Sequence, residues 1–136
     1  MWIVLSLGSM LFLAAMMLMI VPPGRAGVPA SVLLFYLLLM ASLFNLSYLV
    51  YQGTSFRLPM SNMGWMVGAA LASFLGNYCY IAAINIAPNP GFACAIESAK
   101  APVVMVASIW LFASDFSTLK GLGVLCCAIG VALISL

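Results

Sequence analysis

The sequence predicts an all-α polytopic membrane protein, a bundle of five transmembrane helices in a single domain of residues 1–136. Of the 136 residues, 67% are hydrophobic and only 4% are charged, whereas about 25% are charged in an ordinary soluble domain. The apolar residues fall into five runs near the length of about 20 residues that a spanning helix needs. The runs show no period-two alternation, and an open sheet would leave unpaired backbone groups in hydrocarbon. Strands are therefore excluded.

The first two runs carry no charged side chain. The first covers residues 1–21 and is expected to end at Pro22-Pro23-Gly24. We interpret it as a helix of the mature protein and not as a secretory signal, because no positive residue precedes it and no small-x-small cleavage motif stands before Pro22. The second covers residues 30–51 and stops at the polar stretch 52–62.

Turn residues also separate the remaining three runs. They cover residues 64–87, closed by Pro88-Asn89-Pro90-Gly91; residues 92–113, closed by Ser114-Asp115-Phe116-Ser117; and residues 118–136. The connections are only a few residues long, so helices that follow one another should be antiparallel neighbours.

The basic residues encode orientation weakly. With five spans, the N-terminus and the loops that hold Arg57 and Lys120 share one side, and Arg25 lies on the other side with the C-terminus. By the positive-inside rule this favours a cytoplasmic N-terminus, and we expect the protein in the plasma (inner) membrane. The bias is a single residue, so insertion in both orientations stays open.

The polar residues exclude several function classes. The sequence has no His, only the carboxylates Glu97 and Asp115, and no glycine fingerprint or metal-ligand cluster, so we expect neither an enzyme nor a bound cofactor or metal. A net charge of +2 without a basic patch excludes nucleic acid as a partner. The cysteines lack CxxC spacing and are interpreted as packing residues. The expected partners are the lipid bilayer and a small-molecule substrate.

Two runs carry stripes of residues suited to helix contacts or to a cavity. The third run has small residues at four-residue spacing, which favours close helix packing: Gly64, Gly68, Ala72 and Gly76. Polar residues lie on another face of this run and on one face of the second run: Tyr78 and Asn85, and Asn45 and Tyr48. These polar residues either line a substrate cavity or form hydrogen bonds between helices, and both interpretations stay open.

The fourth run contains two charged residues, Glu97 and Lys100. Counted from Gly91, they lie roughly 9 and 13 Å into a hydrocarbon core about 30 Å thick. A charge there costs about 2.5 to 3.5 kcal/mol on insertion scales, so we expect the two to be paired, neutralised or facing water. Pro102 lacks the N–H that would meet the Ser98 carbonyl, which predicts a helix kink and a free acceptor. The pair is either a substrate or coupling site, as in transporters with broken helices, or a structural ion pair.

The C-terminal half carries a series of motifs in apolar context: residues 83–91 (AINIAPNPG), Ala95-Ile96, Pro102-Val103-Val104, Leu111-Phe112, Phe116-Ser117, residues 121–125 (GLGVL) and residues 128–133 (AIGVAL). This series resembles the drug/metabolite transporter superfamily, in particular its EamA-like branch. Members contain five-helix units of about this length, usually two per chain in inverted orientation, so the resemblance implies that this chain is one such unit. The likeness covers residues 64–136 and is only architectural before them.

The resemblance implies a transporter that moves a metabolite or an amphipathic compound by alternating access. It would work as an antiparallel homodimer or with a homologous membrane partner, through Gly123, Cys127 and Gly130 of the last helix. The related small multidrug resistance proteins have four helices and a carboxylate in the first, whereas the first run here has Ser6 and Ser9, so no proton-coupling residue is carried over. The alternatives are a non-transporting subunit that stabilises or regulates a partner, and a subunit of a lipid-linked sugar flippase.

Overall fold

The computed structural model of the protein describes residues 1–55, 57–113 and 117–134. This part of the chain is helical and contains no strand, so the all-α prediction is confirmed for it. The helices are α1 (Trp2–Arg25), α2 (Ala30–Gln52), α3 (Met60–Ile86), α4 (Pro90–Glu97), α5 (Lys100–Phe112) and α6 (Thr118–Ile134). The chain divides into two compact units, Met1–Ile86 and Ala87–Leu136. Asp115, which belongs to the segment predicted to close the fourth run, lies outside the described residues.

Four stretches of the described chain are long and apolar enough to cross a membrane. They are α1, α2, α3 and the stretch Pro90–Phe112, which takes in α4 and α5, with mean hydropathies between 1.5 and 2.5. Helix α6 is apolar but shorter, at 17 residues. Most large apolar side chains are exposed, which suits a protein whose surrounding solvent is hydrocarbon. The protein is therefore a multi-pass helical membrane protein.

Helix α1 does not end at the predicted position. It continues through Pro22 and Pro23 to Arg25. Each proline ring holds φ at a helical value, although it removes the hydrogen bond to the carbonyl four residues before it. The carbonyls of both prolines still accept hydrogen bonds, from the Ala26 N–H at 3.0 Å and the Val28 N–H at 3.2 Å. The turn comes afterwards at Gly27, whose φ of +92° lies in the region that favours glycine.

The first unit has its core at one end. The buried side chains of Ile20, Leu34 and Ile81 form a cluster, which joins the last part of α1 to the beginning of α2 and the end of α3. Helices α1 and α3 therefore run in the same direction and α2 runs against both, as the short connections predict. Far from this cluster the side chains are exposed, as at Trp65 and Phe44.

In the second unit, residues predicted to form a turn begin a helix. The Asn89 side chain accepts a hydrogen bond from the Gly91 N–H at 2.8 Å, and Pro90 occupies the first helical position. Such a cap satisfies a donor that the first turn leaves unpaired, and proline is favoured where no donor is needed. Helices α4 and α5 both contact α6, and two residues, Ser98 and Ala99, separate them.

Candidate functional site

The second unit contains an interrupted helix within a membrane-length apolar stretch. At the interruption the backbone forms tighter, i to i+3 hydrogen bonds: Ala99 N–H to the Ile96 carbonyl and Ala101 N–H to the Ser98 carbonyl, both at 3.0 Å. Bonds of this kind are typical of a 3₁₀ turn. Pro102 has no N–H to offer the Ser98 carbonyl, and the Ala101 N–H takes its place. The free acceptor expected at Ser98 is therefore wrong, since that carbonyl is bonded.

Glu97 and Lys100 stand on either side of this interruption. Glu97 is the last residue of α4 and Lys100 is the first of α5, and the Lys100 ammonium donates a hydrogen bond to Glu97 Oε1 in an ion pair. The Lys100 side chain is 66% exposed and that of Glu97 is 35% exposed. Counted from Pro90, Lys100 lies about 15 Å along the stretch, which is half the thickness of a hydrocarbon core.

The Glu97 and Lys100 side chains neutralise each other's charge and yet stay accessible to another group. Two opposite charges in contact avoid much of the cost that each would have alone in lipid, and the exposed ammonium can still meet a second group. The Ser98 hydroxyl does not compete for either charge, because it donates to the Cys94 carbonyl at 3.0 Å. The interruption thus presents one carboxylate acceptor and one ammonium donor, at a depth where a bilayer offers few other polar groups.

The polar candidates of α2 lie near the end of that helix. Asn45 is exposed. The exposed Tyr48 hydroxyl accepts a hydrogen bond from Gln52 Nε2 at 2.7 Å, and Gln52 Oε1 accepts one from the Thr54 hydroxyl at 3.3 Å. These contacts connect the last turn of α2 to the following loop, which is where amphipathic side chains gather at a membrane interface.

The polar candidates of α3 lie in two different environments. The Tyr78 ring stacks on Phe74, with ring centroids 6.5 Å apart. Asn85 sits in the last turn of α3, and its Oδ1 is buried without a hydrogen-bond partner among the described residues. An unpaired buried amide oxygen costs about 1 to 3 kcal/mol, so Asn85 is the candidate for which the structure leaves an unused polar atom.

Asn45 and Asn85 lie on opposite sides of the core cluster. The cluster places Leu34 beside Ile81, and Asn45 lies eleven residues beyond Leu34 along α2, about 16 Å away from the cluster. Asn85 lies one turn beyond Ile81 in the opposite direction, because α2 and α3 are antiparallel. A cavity lined by both polar stripes stays a prediction.

Gly24 is a residue that the sequence pattern missed. It lies in the last turn of α1, and a Cβ built on it would overlap the side-chain amide of Asn85. Glycine thus allows the α3 amide to rest directly on the α1 backbone. The sequence predicts that the helix ends at Pro22-Pro23-Gly24, and a glycine placed after a helix end has no predictable packing neighbour. Only the continuation of α1 to Arg25 reveals its role.

The small residues predicted for helix packing are uncovered within the described chain. A Cβ built on any of the glycines in the two predicted packing faces would meet no heavy atom within 4 Å: Gly64, Gly68, Gly76, Gly123 and Gly130. Ala72 and Cys127 are exposed as well.

The search for similar proteins ends without a match: no protein-family model, no curated protein and no solved structure matches this chain. The resemblance to drug/metabolite transporters therefore stays a prediction from the quoted motifs. Within the ranges that the structure describes, no three His, Cys, Asp or Glu side chains come together as a metal site. The interrupted helix with its charge pair is the candidate functional site of the described chain.

Proposed function

We propose that the protein is a small membrane transporter that moves a metabolite or an amphipathic compound by alternating access. One observation carries the proposal: a membrane-length helix is interrupted about halfway along, and a carboxylate and an ammonium face each other at the break. Interrupted helices with polar groups near the bilayer midplane are a recurrent design of transporter binding sites. Ionisable residues at that depth have a high insertion free energy, so their presence favours a functional role.

In this proposal Glu97 and Lys100 form the substrate or coupling site. A cationic group of the substrate would take the place of Lys100 at the Glu97 carboxylate, while an anionic group would meet the Lys100 ammonium. Both residues belong to helix ends at the interruption, where a small backbone rotation separates them more easily than within a continuous helix. The chain would cross the membrane five times and work as an antiparallel homodimer or with a homologous partner, in the plasma (inner) membrane.

A second candidate function is that of a non-transporting subunit. The observation that favours it is that Glu97 and Lys100 already satisfy each other, so the pair needs no ligand. The uncovered glycine stripe of α3 would then be the contact face for a partner helix.

Paired variants at the interruption separate these two functions. Purified protein in liposomes would be tested for uptake of ethidium, as an amphipathic cation, and of amino acids, as zwitterionic metabolites. Glu97→Gln alone should reduce expression or stability, because it leaves the Lys100 ammonium unpaired in lipid. The double variant Glu97→Gln with Lys100→Met should fold. If the pair binds substrate, the folded double variant fails to transport.

A charge exchange provides the matched control. Glu97→Lys with Lys100→Glu keeps an ion pair at the same spacing and should keep the stability of the wild type, while a site that recognises substrate charge by position should lose uptake. Undiminished uptake by the folded variant Glu97→Gln with Lys100→Met would exclude both residues from the substrate site. The remaining site candidates would then be Asn45, Tyr48, Tyr78 and Asn85. Absence of uptake by the wild type across the panel would favour the subunit function.

A further inference from the structure

The charge pair at the interruption between α4 and α5 has unused hydrogen-bonding capacity. A lysine ammonium has three N–H donors and a carboxylate has two acceptor oxygens. Among the described residues, Lys100 donates one hydrogen bond, to Glu97 Oε1, and neither side chain makes another. Two N–H groups of Lys100 and the second carboxylate oxygen of Glu97 therefore remain to meet a ligand, and they lie side by side.

The two charges cancel at the interruption, and a ligand can preserve or disturb that balance. The sequence has no third charged side chain between residues 90 and 112, so a bound monovalent cation or anion would leave one uncompensated charge. A zwitterion would leave none. Because Lys100 lies about halfway along a stretch of membrane-spanning length, an uncompensated charge there has the high free energy of a charge near the bilayer midplane. The site therefore favours a ligand whose net charge is zero.

An apolar groove on α5 begins two residues after Lys100. It has a volume of about 680 Å³, and the described residues that line it belong to α5, from Pro102 to Leu111. At about 3.6 residues per turn, two of these residues, Ala107 and Leu111, lie within about 20° of Lys100 around the helix axis. The charge pair thus lies at the end of the groove and on its side of the helix, so a ligand held by the pair can place an apolar body along α5.

We infer that the pair binds a zwitterion with an apolar body. The carboxylate of the ligand meets the Lys100 ammonium, the ammonium of the ligand meets the Glu97 carboxylate, and the apolar body lies in the α5 groove. The inference rests on the proposed transport function, and it narrows the substrate class to molecules that carry both charges. An amino acid with an apolar side chain has this chemistry, with its two charged groups on one carbon atom.

Three ligands with the same phenyl group separate the charge types: phenylalanine is the zwitterion, phenethylamine the cation and 3-phenylpropionate the anion. Radiolabelled forms of each are bound at neutral pH to the purified protein in phosphatidylcholine nanodiscs, and binding to empty nanodiscs is subtracted. We expect the wild type to bind phenylalanine at least about tenfold more tightly than either of the other two, because phenylalanine leaves no net charge at the interruption.

Variants of the pair should change the preferred ligand. Glu97→Gln leaves a positive charge and should bind 3-phenylpropionate best, whereas Lys100→Met leaves a negative charge and should bind phenethylamine best. The double variant Glu97→Gln with Lys100→Met, which is expected to fold, should show no preference for phenylalanine, and it keeps the test valid if a single variant does not fold. As the matched control, Lys120→Met removes a positive charge near the beginning of α6 and should keep the preference of the wild type.

Two neighbouring valines test the groove separately from the charges. Val103 lines the groove and Val104 does not, and the exposed fractions of their side chains are similar, at 68% and 60%. Val103→Ala should weaken the binding of phenylalanine severalfold and leave the binding of glycine unchanged, because glycine has the two charges without the apolar body. Val104→Ala should leave the binding of both ligands unchanged.

The inference is overturned if the wild type does not bind phenylalanine, or binds one of the singly charged ligands equally well. A preference for phenylalanine that persists in the double variant would overturn it too. Uptake into liposomes separates this test from that of the proposed function. Binding selective for the zwitterion without uptake of phenylalanine would contradict transport and support the binding site, whereas uptake of ethidium without such selectivity would contradict the site and support transport.

Discussion

The contact between Gly24 and Asn85 predicts that Gly24→Ala destabilises the protein, although a glycine-to-alanine change inside a helix usually stabilises it. Replacing a glycine inside a helix by alanine usually raises the free energy of unfolding by about 0.5 to 1 kcal/mol, because alanine loses less backbone entropy on folding. At Gly24 the added Cβ would overlap the Oδ1, Cγ and Nδ2 atoms of Asn85. Overpacking of this kind costs typically about 1 to 3 kcal/mol. We therefore expect Gly24→Ala to lower the free energy of unfolding by roughly 1 to 2 kcal/mol.

Two further variants assign the loss to this contact. Gly64→Ala is the matched control, since a Cβ on Gly64 meets no atom within 4 Å among the described residues, and it should be neutral or stabilising. Asn85→Ala removes the amide that the new methyl group meets, together with its unpaired buried oxygen, so Gly24→Ala in that background should recover its usual gain. The coupling energy between the two positions should be about 2 kcal/mol.

The measurement is reversible unfolding in mixed micelles of mild detergent and dodecyl sulfate, followed by tryptophan fluorescence and far-UV circular dichroism. Two-state analysis of the wild type and the variants gives the free-energy differences. A Gly24→Ala variant at least as stable as Gly64→Ala would contradict the predicted overlap. An equal effect of Gly24→Ala with asparagine and with alanine at position 85 would contradict it as well.

The remaining predictions concern topology and assembly. Single cysteines in a background without the native ones should be labelled in two groups from opposite sides of the membrane, Ala26 with Asn89 and Ser55 with Ser117. The reason is that residues 90–112 are long and apolar enough for one crossing in spite of the interruption. Labelling of Asn89 and Ser117 from the same side would contradict this prediction. In an antiparallel homodimer through α6, Gly123→Cys in one copy should cross-link to Gly130→Cys in the other, and Cys127 to its counterpart near the centre. Cross-links confined to identical positions at 123 and at 130 would indicate parallel pairs.

The helical membrane class follows from the sequence because it depends on the length and composition of continuous apolar runs. A run of about 20 apolar residues must satisfy its backbone internally in lipid, and a helix is the way an isolated segment does so. The positions at which α2 and α6 begin agree with the predicted starts for the same reason. The Glu97 and Lys100 spacing is equally local, since residues three apart on a helix are neighbours wherever the helix lies.

The three prolines inside helices have different effects that the sequence alone does not predict. Helix α1 continues through Pro22 and Pro23 for two more residues, whereas the helical stretch that contains Pro102 is interrupted between Glu97 and Lys100. Whether the helix continues or is interrupted depends on which other N–H groups donate to the carbonyls four residues before each proline. At Pro102 the Ala101 N–H bonds the Ser98 carbonyl in a tighter turn. Sequence indicates that a donor is missing, while the structure shows what replaces it.

By itself, then, the sequence determines the solvent of this protein, its helical class and the local charge pair, because each depends on residues within a turn or a span of one another. The tertiary structure decides which helix ends pack together, and with that the position of every long-range contact. Gly24 and Asn85 meet because the ends of α1 and α3 share the core cluster, and Asn45 and Asn85 lie far apart for the same reason. The directions of α1, α2 and α3 follow from the short connections, but the axial level at which the helices meet arises from packing between elements distant in sequence, which no periodicity within one run can specify.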